Sequence, residues 1–385
     1  MLSDGGAGVG LLKGPLAALL LFFPFILRAQ ALSASADSWP TFRGNGALCG
    51  AAASPLPSGL RQVWRFVAGS AALSSPVIGR GSVVVASADG AIACVSLSSG
   101  RLRWKRDVGA PVEASPLLDG GAVYVGASDG TVLRLDAATG AVAWRVATGA
   151  RIAGSPNLHR QSSSGRTLLL VGSYDGTMRA LDAKDGSAAW AFHTNNYING
   201  AAAVIGNLVI FGGCDARLHL VSALDGREAG TIDTGSYIPG SPAVSGGKAF
   251  VGNYAGRLTA VRVATASVSW TYDAEEGAAF FSSPAVAGDW LVVGCRDGRL
   301  HCVNARTGAK RWTWTAGDAV DGSPVIAGDA VVAGTADGRL VVLGLADGRP
   351  RWSWDIGAPL TSSPAVVGGR VVVGGSDGTL SAFGE

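Results

Sequence analysis

The sequence predicts an all-β protein, an eight-bladed β-propeller of four-stranded blades whose ring is closed by an N-terminal strand around Trp64. Three observations predict it. A Ser-Pro start recurs at Ser75, Ser115, Ser155, Ser241, Ser283, Ser323 and Ser363, with Ala201-Ala202 standing in once, at steps of 40, 40, 46, 40, 42, 40 and 40 residues. An Asp-Gly turn recurs at Asp89, Asp129, Asp175, Asp297, Asp337 and Asp377, with Asp215-Ala216 and Ala255-Gly256 as variants. Fifteen residues after seven of these eight turns stand Trp104, Trp144, Trp190, Gly230, Trp270, Trp312 and Trp352. The eighth unit ends at Glu385, before its tryptophan, whereas Trp64 lies 11 residues before Ser75, the same gap as from Trp104 to Ser115. A linear solenoid has no use for such a displaced element, but a ring does, because it leaves no open end.

Each element follows from its residues. Strand A comes after Ser-Pro, as in Val77-Ile78, and strand B is a β-branched run such as Val83-Val84-Val85. The Asp-Gly pair selects a tight hairpin, since the turn needs positive φ and glycine takes it without steric cost. Strand C alternates, as in Val132-Leu133-Arg134-Leu135, and a Thr-Gly turn leads to strand D with its tryptophan. Two insertions break the count. Six extra residues around His159–Gly165 fall in an A–B loop, and two within Asp273–Gly277 fall in a D–A loop, on the face that carries the Asp-Gly turns.

Three domains are expected: a signal peptide at 1–31, a low-order arm at 32–58 and the propeller at 59–385. Lys13 precedes the apolar run Pro15 to Leu27, and Ala29-Gln30-Ala31 follows it, the pattern of an export signal rather than a membrane span. Cleavage after Ala31 and after Ala36 fit equally, and retention as a short anchor is the alternative. The mature chain is expected outside the cytoplasm, periplasmic or secreted, monomeric and without a transmembrane span. Cys49 follows Leu48 and lies far from the apolar run, so it does not read as a lipid-attachment cysteine.

Composition agrees: 57 glycines, 48% apolar and 15% charged residues suit short strands, tight turns and a large core. The net charge of +3, with no basic run, excludes nucleic acid as an expected partner. The five cysteines are read as small buried apolar residues rather than a disulfide framework.

The element Leu135-Asp136-Ala137-Ala138-Thr139-Gly140-Ala141-Val142-Ala143-Trp144 resembles the tryptophan-docking repeat of the pyrroloquinoline-quinone (PQQ) type propellers. The segment Trp39-Pro40-Thr41-Phe42-Arg43-Gly44 is similar to the opening of many exported members. The resemblance covers 39–385 and implies that Trp64, Trp104, Trp144, Trp190, Trp270, Trp312 and Trp352 dock between blades. It also implies one of two activities: a quinoprotein oxidoreductase holding PQQ and Ca²⁺, or a non-catalytic scaffold like the BamB-type factor of outer-membrane assembly.

The oxidoreductases of the family typically carry adjacent cysteines, and no Cys-Cys pair occurs here. If PQQ were bound, Glu113, Arg151, Asn196, Asn199, Asp318 and Asp321, all in D–A loops, would be its candidate residues. Otherwise no cofactor, no catalytic residue and no metal site is expected. Gly126–Gly130 and Gly374–Gly378 match G-x-S-x-G, but a nucleophile elbow needs a strand-to-helix turn and these are hairpins. His159, His193, His219 and His301 do not cluster along the chain.

Surface recognition remains. The loops entering blades 4, 5 and 6 carry Asn196, Tyr197, Tyr237, Phe280 and Phe281, aromatics with few charges, the chemistry of interface centres. The expected function is an exported protein-binding scaffold of the cell envelope. A carbohydrate- or peptide-binding sensor is a further alternative.

Overall fold

The computed structural model describes residues 38–162 and 164–385; the expected signal peptide lies outside the described residues. Eight four-stranded antiparallel sheets form the ring. Blade 1 is typical: strands Val77–Gly79, Ser82–Ala86, Ala91–Ser96 and Leu102–Asp107 run from the channel outwards. The middle strands are buried on both faces because blades stack on each other; in blade 2, Ala122–Gly126 is buried throughout. The outermost strand is exposed except at its tryptophan, so within Leu102–Asp107 only Trp104 is buried. Among the described residues the only helices are single 3₁₀ turns, Val263–Thr265 and Glu275–Gly277. None is long and apolar enough to cross a membrane.

The ring closes as expected. Blade 8 takes Ala365–Val367, Arg370–Gly374 and Thr379–Gly384 from the C-terminus and Arg61–Val67 from the N-terminal side, with Trp64 opposite Ala382. Both insertions also lie where the count places them. One lengthens the Asn157–Arg160/Thr167–Gly172 hairpin, and the other forms the 3₁₀ turn between blades 5 and 6.

The turn chemistry recurs in most blades. The turn aspartate accepts the amide two residues on, as Asp297 Oδ1 does from Arg299 at 2.9 Å, while Gly298 takes φ +77°. In blade 4, which lacks that glycine, Ala216 itself adopts φ +62°.

The tryptophans form the seams. Nε1 of Trp64, Trp104, Trp190, Trp270 and Trp312 donates to Leu97, Ala137, Ala223, Ala305 and Leu345 O of the next blade, at 2.8–3.1 Å. Each ring covers the second-turn glycine of that blade. A Cβ at Gly140 would fall 2.6 Å from Trp104 Cε3, and one at Gly348 would fall 2.7 Å from Trp312. Two seams differ. Tyr124 Oη donates to Ala183 O, which stands where Trp144 would donate, and Trp144 Nε1 is left unbonded. Trp352 faces the blade where the chain ends, and packs on Trp354 and Phe383 instead.

The serines of Ser-Pro are the inner seams. The amide of one start donates to the serine Oγ of the next blade: Ser115 to Ser155, Ala201 to Ser241, Ser241 to Ser283, Ser283 to Ser323, Ser323 to Ser363 and Ser363 to Ser75, all at 2.8–3.0 Å. Ala201 has no hydroxyl to offer Ser155.

The arm corrects an expectation. From residue 38 onwards it is not low-order: it winds once around the inside of the ring and bonds to strand A of successive blades. Trp39 exchanges backbone hydrogen bonds with Ile78, and Pro40 O accepts from Leu118 N. Gly46 O accepts from Asn157 Nδ2 and Val204 N; Ala47, Cys49 and Gly50 carbonyls accept from Val244, Val286 and Ile326. Ala51–Ala52 then adds a parallel strand to blade 7. Inner strands present unpaired backbone groups to the channel, and the arm satisfies them. Arg43 is fully buried and donates to Ser323 O and Pro284 O at 3.2 and 3.1 Å. Gly44, at φ +86°, lies against the Trp39 ring, and Gly50, at φ +60°, lies against the Arg43 guanidinium. Serine, alanine and glycine in this segment permit close approach; they do not signal disorder.

Candidate functional site: a collar at the channel mouth

With the arm packed along the inner strands, the channel becomes a cavity of about 450 Å³. Phe42, the ring of serines, Glu113, Asn199, Phe281 and Asp321 line it. The serine hydroxyls already serve the inner seams, so the chemistry of the site gathers at its mouth.

There the D–A loops meet the B–C turns, and two chains of contacts run in mirror order. On one side Glu113 pairs with Arg151, whose guanidinium lies 5.2 Å from the Tyr174 ring centre. Tyr174 stacks on Tyr197 at 4.9 Å and 9°. On the other side Asp321 holds Arg296 through two bonds of 3.0 and 2.9 Å. Arg296 lies 3.4 Å over Phe281, whose ring meets Tyr254 edge-on at 5.2 Å. Tyr254 N donates to Tyr237 O, joining the second aromatic loop to this side. Carboxylate, guanidinium and two rings thus form each flank, and each guanidinium is fixed by charge from one side and by a ring from the other. Burial raises the Tyr174 hydroxyl above its ordinary value, so at neutral pH it stays protonated and donates to Asn199 Oδ1. On these flanks Tyr197, Tyr237 and Tyr254 are 52%, 53% and 49% exposed, large apolar faces held on a rigid ring yet open to solvent.

The sequence-derived candidates separate on this geometry. Tyr197, Tyr237 and Phe281 belong to the collar. Phe280 does not: it is fully buried, because its place in the loop is the plug position held by Ile152, Ile198, Ile238 and Val320 elsewhere, over the glycine that ends strand B. Asn196 ties its loop to the blade 4 turn, donating to Cys214 O, and accepts from Tyr197 N. Asp318 accepts from the neighbouring Ala319 amide. Sequence reading missed Tyr174, Tyr254 and Arg296. Each stands just before the turn position, where blades 1, 2, 7 and 8 have Ala88, Ser128, Ala336 and Ser376; bulk at that one place was the available signal.

These residues do not fit a quinone–calcium site. Glu113 and Asp321 are each neutralised by an arginine and lie on opposite flanks, Asn196 is engaged by Cys214 O, and Asp318 by its own loop. Among the described residues, the group of three or more His, Cys, Asp or Glu side chains close enough to share an ion lies elsewhere, in blade 6. All five cysteines are free thiols, with Cys94, Cys295 and Cys302 buried and Cys49 and Cys214 partly so.

Comparison with known proteins places the fold in its family. The family model described as outer membrane protein assembly factor BamB matches residues 56–191, 174–331 and 296–385. No curated protein sequence matches the chain. Among solved structures, BamB from Moraxella catarrhalis is 20% identical, with a TM-score of 0.70 over 85% of this chain and 98% of that one. A europium-containing methanol dehydrogenase is 12% identical, with a TM-score of 0.79 over 92% and 99%. The computationally designed Ika8 protein is 19% identical, with a TM-score of 0.75 over 84% and 100%. At these identities the structural likeness shows the fold alone, while the family model matches in three segments that together run from residue 56 to the last residue. The chain belongs to the PQQ-like propeller family of the BamB description.

Proposed function

We propose that this chain is an exported, non-catalytic propeller that binds a protein partner of the cell envelope through the collar. One observation carries the reading: Tyr197, Tyr237 and Tyr254 stand about half exposed beside Phe281, on loops braced by Arg151 and Arg296. Rigid, partly exposed aromatics with their polar neighbours already paired lose little entropy on binding, and such residues dominate interface energetics. Membership of a family described by an assembly factor supports a protein partner over a small substrate. Under this reading residues 1–31 direct export, the arm and propeller form one monomeric body, and the mature chain works outside the cytoplasm.

The test is affinity capture from envelope extract by the mature chain and by its Tyr197→Ser/Tyr237→Ser/Phe281→Ser variant. The variant should keep the thermal midpoint of the ring and lose the captured partner. An unchanged captured set would refute the collar as the binding surface. Calorimetric titration with PQQ and Ca²⁺ separates the oxidoreductase alternative: stoichiometric heat there would overturn the scaffold reading.

A further inference from the structure

Blade 6 holds a cluster that the collar does not use. Cys295, Asp297 and His301 come from one hairpin, and their ligand atoms all lie within 4.8 Å of one another. His301 Nε2 is 2.8 Å from Asp297 Oδ2, and its other nitrogen, Nδ1, is 2.9 Å from Tyr272 Oη. Cys295 and His301 are buried, and the Asp297 side chain is 7% exposed.

Blade 4 is an internal control. Its hairpin repeats the pair, with His219 Nε2 2.9 Å from Asp215 Oδ2, so aspartate and histidine alone suffice to build this turn. Blade 4 has Gly213 where blade 6 has Cys295, and His219 Nδ1 is buried without a partner. Blade 6 therefore adds two features at once: a sulfur beside the pair, and a hydroxyl that fixes the second histidine nitrogen. A third feature coincides with them. The D–A loop lengthened by the insertion is the one that covers the sulfur, with the Ala278 and Ala279 carbonyls 3.3 and 3.5 Å from Sγ and Glu275 bonded to Arg299 at 2.7 Å.

We propose that Cys295 Sγ, Asp297 Oδ2 and His301 Nε2 bind one divalent ion of the zinc class. A thiolate, an imidazole and a carboxylate form a mixed S, N, O set suited to a borderline-soft ion, with water completing a tetrahedron. Tyr272 supplies the outer contact that orients a ligating imidazole, and the Arg299 amide on Asp297 Oδ1 does the same for the carboxylate. On binding, the thiol proton leaves to solvent, while the neutral imidazole carries its single proton on Nδ1, donated to Tyr272 Oη, so that Nε2 is open to the ion in place of its contact with Asp297.

The test uses the mature full chain after chelator dialysis, titrated with Co²⁺ and then Zn²⁺. One equivalent of Co²⁺ should give a near-ultraviolet thiolate-to-cobalt absorption, which Zn²⁺ then erases. Cys302→Ser, a buried neighbour outside the cluster, should keep the band, and Cys295→Ser should lose it. Zn²⁺ should raise the thermal midpoint of the native chain but not of Cys295→Ser. Absence of the band in the native chain overturns the proposal whether or not the variants fold, as does a full band in Cys295→Ser.

Discussion

The seam between blades 1 and 2 and the seam between blades 4 and 5 meet one packing demand in opposite ways. In the first, Trp104 is buried, donates to Ala137 O at 2.9 Å and lies flat on Gly140, where no side chain would fit. In the second, Gly230 replaces the tryptophan and Ala266 replaces the glycine, taking φ +45° to hold the same turn; a Cβ at Gly230 would fall 2.7 Å from Ala266 Cβ. A large residue over a small one has become a small residue against a slightly larger one. Read along the chain, blades 4 and 5 look degenerate and therefore free for another task. Across the seam, the two losses compensate each other. Irregularity in a repeat is thus weak evidence of function until both sides of the contact are known, and the collar draws its aromatics from loops and turns, not from the irregular strands.

That comparison can be broken. The largest effect is expected at the tryptophan seam: Trp104→Ala should destabilise the ring by about 3–5 kcal/mol, read from the denaturant midpoint. A much smaller loss would mean that the seams do not hold the blades. Next, Gly230→Trp alone should overpack against Ala266 and cost about 1–3 kcal/mol. Combining it with Ala266→Gly should recover most of that loss, because the pair rebuilds the arrangement of the other seams. A double-mutant cycle with additive energies would show that the two substitutions are unrelated. The smallest effects are expected at the inner seams. Ser323→Ala leaves the Ser283 amide without its acceptor and should cost about 1 kcal/mol. Ala201→Ser should supply the missing hydroxyl opposite Ser155 and gain about 0.5 kcal/mol in thermal or chemical unfolding. A loss at Ala201→Ser would show that blade 4 is built around the absence of that bond.

The molecule's legible and illegible parts divide along physical lines. Turns are local: Asp297, Gly298 and Arg299 are adjacent in sequence and in space, so their chemistry reads directly. Tryptophan docking was legible because seven repetitions at fixed spacing make a distant contact periodic. The collar was half legible. Tyr197, Tyr237 and Phe281 stood out by residue type, but their partners Tyr174, Tyr254 and Arg296 come from turns of the same or adjoining blades, and nothing local joins them. Phe280 and Phe281 are adjacent and chemically identical; only the packing of the loop sends one into the core and leaves the other at the channel mouth. Likewise Cys295, Asp297 and His301 share one hairpin, yet a search for paired histidines passes over them.

By itself the sequence determined the number of blades, their strand order, the turns, the tryptophan seams and the closure by a strand around Trp64, because the turn chemistry is local and the tryptophan contacts recur at a fixed period. Tertiary structure alone decided what happens once per molecule: the route of residues 38–58 around the inner strands, the burial of Arg43, the pairing of Gly230 with Ala266 and the two braced flanks of the collar. Periodicity carries information about contacts that recur. A contact made once, between segments as far apart as Arg43 and Ser323, leaves no period to read, and it forms only when the closed ring brings its two sides together.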